Sequence, residues 1–134
     1  MQRRSLILPA LALITLGGLT ACAGLQPEPG AEPARVVFFT GESATLDGPA
    51  RGVVQAAAEA ARRPPGARVT VLGYGGPTGG AFNRSLATAR AQHVAELLRQ
   101  AGLPPERVTI ASRAPAPPEM AAIEVRRVEI RFAP

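Results

Sequence analysis

The side chains able to do chemistry in this chain are few, and their scarcity narrows the chemistry available. The 134 residues include one cysteine (Cys22), one histidine (His93) and one aspartate (Asp47). A nucleophilic triad needs a serine or cysteine, a base and an orienting carboxylate in hydrogen-bonded series. Ser43, Ser85 and Ser112 have no such partners, and His93, beside Val94, reads as a boundary residue rather than a base. No group of His, Cys, Asp and Glu has the spacing of metal ligands. An enzyme is therefore not expected, nor is a metal or cofactor. What remains is arginine. All 15 basic residues are arginine, whose planar fork grips carboxylates with two parallel hydrogen bonds. Arg90 and the adjacent pair Arg126 and Arg127 are the candidates for such a grip.

The run Gly73-Tyr74-Gly75-Gly76-Pro77-Thr78-Gly79-Gly80 follows a strand pattern and opens onto a helix pattern. Its glycines are spaced G-x-G-x-x-x-G, which misses the dinucleotide fingerprint, and Pro77 removes a backbone donor. A flexible glycine-rich loop is the expectation.

The cysteine belongs to a different part of the chain. Arg3 and Arg4 precede an apolar run over residues 6–16, and small residues follow up to Leu19-Thr20-Ala21-Cys22. This is the layout of an export signal, too short and too interrupted by Pro9, Gly17 and Gly18 to read as a membrane span. Its Leu-x-Ala-Cys ending resembles the lipobox of bacterial lipoproteins. That resemblance implies cleavage after residue 21, acylation of the Cys22 thiol and an anchor of several lipid chains. One chain holds weakly and two or more hold firmly, because each buried CH₂ contributes about 0.8 kcal/mol. Ala23 is not the aspartate that the resemblance associates with inner-membrane retention. The expected place is therefore the outer membrane, lipid-anchored and facing the periplasm.

Without the leader, thirteen arginines face ten acids, a mild excess that excludes a nucleic-acid footprint. Intrachain disulfides are impossible with one cysteine. Residues 22–34 comprise the lipidated cysteine and a Pro-rich tether, which would reach roughly 35–40 Å as polyproline II. Residues 35–134 form the folded part. Strands are expected at 36–39, 69–72, 107–111 and 127–132. Helices are expected from a cap at Asp47 to Arg62 and over residues 83–101. Gly102 should end the second helix, with Pro104 just beyond. In the last strand Val128, Ile130 and Phe132 alternate with Arg127, Glu129 and Arg131. Ile123 and Val125 fall on the opposite parity, which predicts a bulge or bend near Arg126. Few aromatics are present, so the core must draw on Val, Leu, Ile and the four phenylalanines. The order βαβαββ places two helices on a sheet, in the α+β or α/β class.

Two segments carry a family likeness. Asn83-Arg84-Ser85-Leu86-Ala87-Thr88-Ala89-Arg90-Ala91, taken with Arg126-Arg127-Val128-Glu129-Ile130, resembles the N-x-x-L-S-x-x-R-A and N-R-R-V-E-I motifs of the OmpA-like C-terminal domain. That domain also occurs in peptidoglycan-associated lipoproteins. The resemblance spans roughly residues 35–132 and implies an α+β fold, two helices on a mixed four-stranded sheet. It also implies non-covalent binding of the diaminopimelate in a peptidoglycan stem peptide, with a helix arginine on a carboxylate and a loop aspartate on the ammonium. Carried over residue by residue, Arg90 is the helix arginine, Arg126 and Arg127 the terminal pair, and Asn83 the helix-opening asparagine. Tyr74 stands at the histidine of the family's G-H-T-D loop and Gly76 at its aspartate. Val125 replaces the asparagine before the arginine pair. No acid occurs between Arg68 and Glu96, so the implied pocket is expected to be basic only. Two roles stay open: an outer-membrane lipoprotein linking membrane to wall, or a degenerate OmpA-like domain docking an envelope protein.

Overall fold

The computed structural model describes residues 32–76 and 78–134. Cys22, the leader and most of the tether lie outside them. The elements run β1 (Arg35–Phe38), α1 (Gly48–Arg62), β2 (Arg68–Tyr74), α2 (Ala81–Gln100), a 3-10 turn (Pro105–Arg107), β3 (Val108–Arg113) and β4 (Arg127–Ala133). They form an α+β fold of two helices on a mixed four-stranded sheet ordered β1-β4-β2-β3. β4 runs antiparallel to both neighbours, while β2 and β3 pair in parallel across α2. β1 and β2 therefore point the same way. The loops leaving them meet the segment entering β4 at one end of the sheet.

Local chemistry explains the helix limits. Asp47 Oδ1 accepts from the Ala50 amide at 2.8 Å, and Pro49 sits in the first turn, where its missing N–H costs nothing. At the far end of α1, Arg107 donates from Nε to the Ala67 carbonyl at 2.9 Å and from Nη2 to the Ala61 carbonyl. A carbonyl in the last turn of α1 thus meets a cation. α2 ends as expected: Gly102 takes a φ of 96°, and the Leu103 amide donates back to Leu98 O at 3.1 Å.

The core differs from the composition-based expectation. Val37, Val54, Val69, Val71, Val94, Leu98, Val128 and Ile130 fill it, but of the phenylalanines only Phe39 is buried. Phe38 and Phe82 are exposed, and Phe132 is half-buried. Alanines take their place. Ala57, Ala58 and Ala61 on α1 and Ala87, Ala91 and Ala95 on α2 are all sealed from solvent. Small side chains let the helices sit close to the sheet, leaving no room for rings.

That closeness also corrects the reading of the glycine run. β2 continues through Gly73 to Tyr74. A methyl on Gly73 would overlap the Ala87 carbonyl oxygen, and one on Gly75 the Asn83 carbonyl oxygen. These glycines are a seam between backbones rather than a flexible loop.

The break expected near Arg126 is a bend rather than a bulge. Residues 122–125 form a turn, with Glu124 N and Val125 N both donating to Ala121 O at 2.9 and 3.3 Å. Ile123 and Val125 change parity because they precede the strand. Within β4 the alternation holds: Val128 and Ile130 face the core, while Arg127, Glu129 and Arg131 share the outer face. Glu129 there accepts from Arg127 at 2.6 Å and Arg131 at 2.5 Å. Burial alone would raise its pKa. The hydrogen bonds and charges of Arg131 and Arg127 outweigh that and hold it below the usual glutamate range.

Candidate functional site

The centre of the converging loops is Arg90. Its place on α2 among Leu86, Ala87, Ala91 and Val94 turns it into the domain, and it is wholly buried. Nε donates to Ser43 O at 2.9 Å, and Nη1 to Tyr74 O at 3.0 Å and Val125 O at 3.4 Å. Nη2 donates to Gly41 O at 2.8 Å. Four of the five N–H groups thus hold carbonyls from three separate segments. The guanidinium also lies over the Phe39 ring, 5.2 Å from its centroid. Among the described residues no carboxylate pairs with it. Burial pushes its pKa down from the ordinary arginine value, and the charge of Arg126 pushes the same way while Glu42 opposes. An arginine stays protonated under such pressure, so the site keeps an un-neutralised buried cation.

Above it opens a cavity of about 310 Å³. Its walls include Glu42 after β1, Gly76 after β2, Asn83 and Leu86 on α2, and the 120–126 segment ending in Arg126. Arg90 forms part of the lining, and Arg126 is exposed.

The residues singled out from the sequence divide accordingly. Arg90, Arg126 and Asn83 come together around the cavity. Arg127 does not line it: it turns to the outer sheet face, pairs with Glu129 and lies 5.1 Å from the centroid of the Tyr74 ring. Tyr74 is buried with Ala116 and Val125 in a small second cluster and touches the site only through its carbonyl. Arg126 lies in the bend before β4 and Arg127 is the first residue of the strand, which sends the neighbouring arginines to different places. Cys22 lies outside the described residues.

Asn83 does not cap α2. The helix starts two residues earlier with Gly80 at the cap position, and Asn83 Nδ2 reaches back to Thr78 O at 3.2 Å and Thr78 Oγ1 at 2.6 Å. This amide occupies the space beside Gly76. An ideal Cβ on Gly76 would lie 2.8 Å from Asn83 Oδ1.

Sequence reasoning missed Glu42 and so expected only basic walls. Glu42 sits in a different loop, far from the Arg68–Glu96 stretch. The signal available was topological: a loop after the first strand shares its sheet end with a loop after the second when both strands run the same way.

The sequence profile of the OmpA family matches residues 38–126. The chain belongs to the OmpA family. Solved structures of OmpA-like architecture agree. The OmpA-like domain of FopA1 from Francisella tularensis superposes with a TM-score of 0.62 at 21% identity, covering 75% of this chain and 73% of that one. The peptidoglycan-associated lipoprotein of Burkholderia pseudomallei gives 0.63 at 20% identity, covering 74% and 90%. The C-terminal domain of Helicobacter pylori MotB gives 0.58 at 22%, covering 74% and 84%. No curated protein sequence matches significantly. Among the described residues of this OmpA domain, no group of three His, Cys, Asp or Glu is placed to hold a metal ion.

Proposed function

We propose that this protein is an outer-membrane lipoprotein whose OmpA domain binds peptidoglycan non-covalently and so links membrane to wall. The observation that carries the reading is the cavity at the sheet end, where buried Arg90 and exposed Arg126 lie together without a paired carboxylate. A stem-peptide carboxylate entering there would gain charge-assisted hydrogen bonds from Arg126 and the remaining N–H of Arg90. It would also add a paired countercharge to a buried cation that carbonyl dipoles, a ring and the charge of Glu42 hold. The module is a binding one. Family membership supports it, as does the likeness to a lipoprotein described as peptidoglycan-associated. The anchor rests on the lipobox at Cys22, and the Pro-rich tether would let the domain reach past the headgroups.

One observation favours the second role, an OmpA domain that docks an envelope protein. Residue 76 carries no acid, and Asn83 fills the adjoining space. Cosedimentation of the full chain in detergent with purified sacculi separates the two. The wall-binding reading expects the protein in the pellet and Arg126→Ala to release much of it. Protein left in the supernatant overturns it in favour of docking.

A further inference from the structure

The cavity has two chemically different sides, and only one is basic. Glu42, carried on the β1–α1 loop and exposed, lines the same cavity as Arg90 and Arg126. Among the described residues its carboxylate makes no ion pair and no hydrogen bond, although two arginines line the same cavity. Asn83 on α2 lines it as well. Both hydrogen bonds of that amide are donated by Nδ2 to Thr78, which orients the group and leaves Oδ1, among the described residues, as an acceptor without a protein donor. A free carboxylate and an oriented amide oxygen are what an ammonium group requires: a countercharge and a lone pair. The guanidinium pair is what a carboxylate requires. Both sets border about 310 Å³, room for one amino-acid head group but not for an extended peptide.

We infer that Glu42 is the specificity residue for an ammonium in this pocket, supplying with Asn83 Oδ1 the acidic side that residue 76 does not. The inference rests on the wall-binding reading and adds to it the residue that would hold the ligand's ammonium. The pocket selects a zwitterionic amino-acid end over the same group with its nitrogen acylated. Neutralising the nitrogen removes the attraction to Glu42 while the carboxylate contact survives, so the discrimination resides in Glu42 rather than in the arginines. Because Glu42 sits at the exposed mouth, solvent screens part of the interaction. The effect to expect is about three- to tenfold, less than a buried charge pair would give.

Calorimetric titration of the full chain in detergent tests this, with free meso-diaminopimelate and its doubly N-acetylated form as probes. The wild-type protein should bind the free form about three- to tenfold more tightly. Glu42→Gln should erase that preference by weakening the free form alone, while Glu59→Gln on the outer surface of α1 should leave it intact. Retention of the preference in Glu42→Gln overturns the inference and leaves the wall-binding reading standing, as does equal wild-type binding of both probes. Wild-type protein that binds neither probe and does not pellet with sacculi overturns both.

Discussion

Replacing Arg90 with methionine should cost this domain much of its stability, whatever it does to binding. The substitution keeps a long apolar stem and deletes the guanidinium. Four carbonyls then lose their donor: Gly41, Ser43, Tyr74 and Val125. Gly41 and Val125 border the cavity, where water can replace the lost donor. Ser43 and Tyr74 do not, and each stranded carbonyl costs about 1–3 kcal/mol. Loss of the contact with the Phe39 ring adds about 1 kcal/mol. Relief of the desolvated charge offsets part of this, which leaves about 2–5 kcal/mol. A domain of this size has about 5–15 kcal/mol to lose. Urea denaturation of wild type and variant, followed by circular dichroism with Arg126→Met as control, measures it. The exposed Arg126 should cost under about 0.5 kcal/mol. An Arg90→Met loss as small as that of Arg126→Met would refute the hub assignment.

Gly75→Ala should destabilise by more than about 3 kcal/mol, because its methyl meets the Asn83 carbonyl oxygen. Gly52→Ala, with open space on the α1 surface, should stabilise by about 0.5–1 kcal/mol. Thermal melts of the two compare them directly. Glu129 has a depressed folded pKa, so its contribution is fully present above the unfolded glutamate value of about 4.3 and fades as pH falls through the lower folded one. Stability measured from pH 6 down to about pH 3 should therefore fall less steeply in Glu129→Gln than in wild type; parallel slopes would contradict the assignment. Gly76→Asp should not raise sacculus binding by itself, since its Cβ presses on the Asn83 amide. Adding Asn83→Ala should free the space and let the new carboxylate act, which cosedimentation of the single and double variants would show.

Much of the fold was legible because local chemistry and tertiary packing agree. The Asp47 cap, the Gly102 end of α2 and the β4 alternation each have a cause within a few residues. Pairing the motifs with a known family then pointed to three residues that line the cavity, Asn83, Arg90 and Arg126. The failures came where the cause is distant. Nothing near Gly73 and Gly75 shows that α2 packs against their backbones, so the seam read as a loose loop. Arg126 and Arg127 are equivalent in sequence and diverge only once the strand begins. Glu42 joins the site solely because β1 and β2 run in the same direction. Phe38 and Phe82 could not be recognised as exposed until alanine-lined helices had closed the core to large rings.

The central claim is that the cavity at the sheet end takes a wall fragment. Amide chemical-shift mapping of the isotopically labelled protein, titrated with a soluble stem-peptide fragment carrying free diaminopimelate, tests this most directly. The account predicts saturable shifts centred on Gly41, Glu42, Gly76, Asn83 and Arg126, with little change along β1 or the outer face of β4. Shifts confined to the exposed side chains of β1 and the outer sheet face, or no saturable shifts at millimolar fragment, would contradict it.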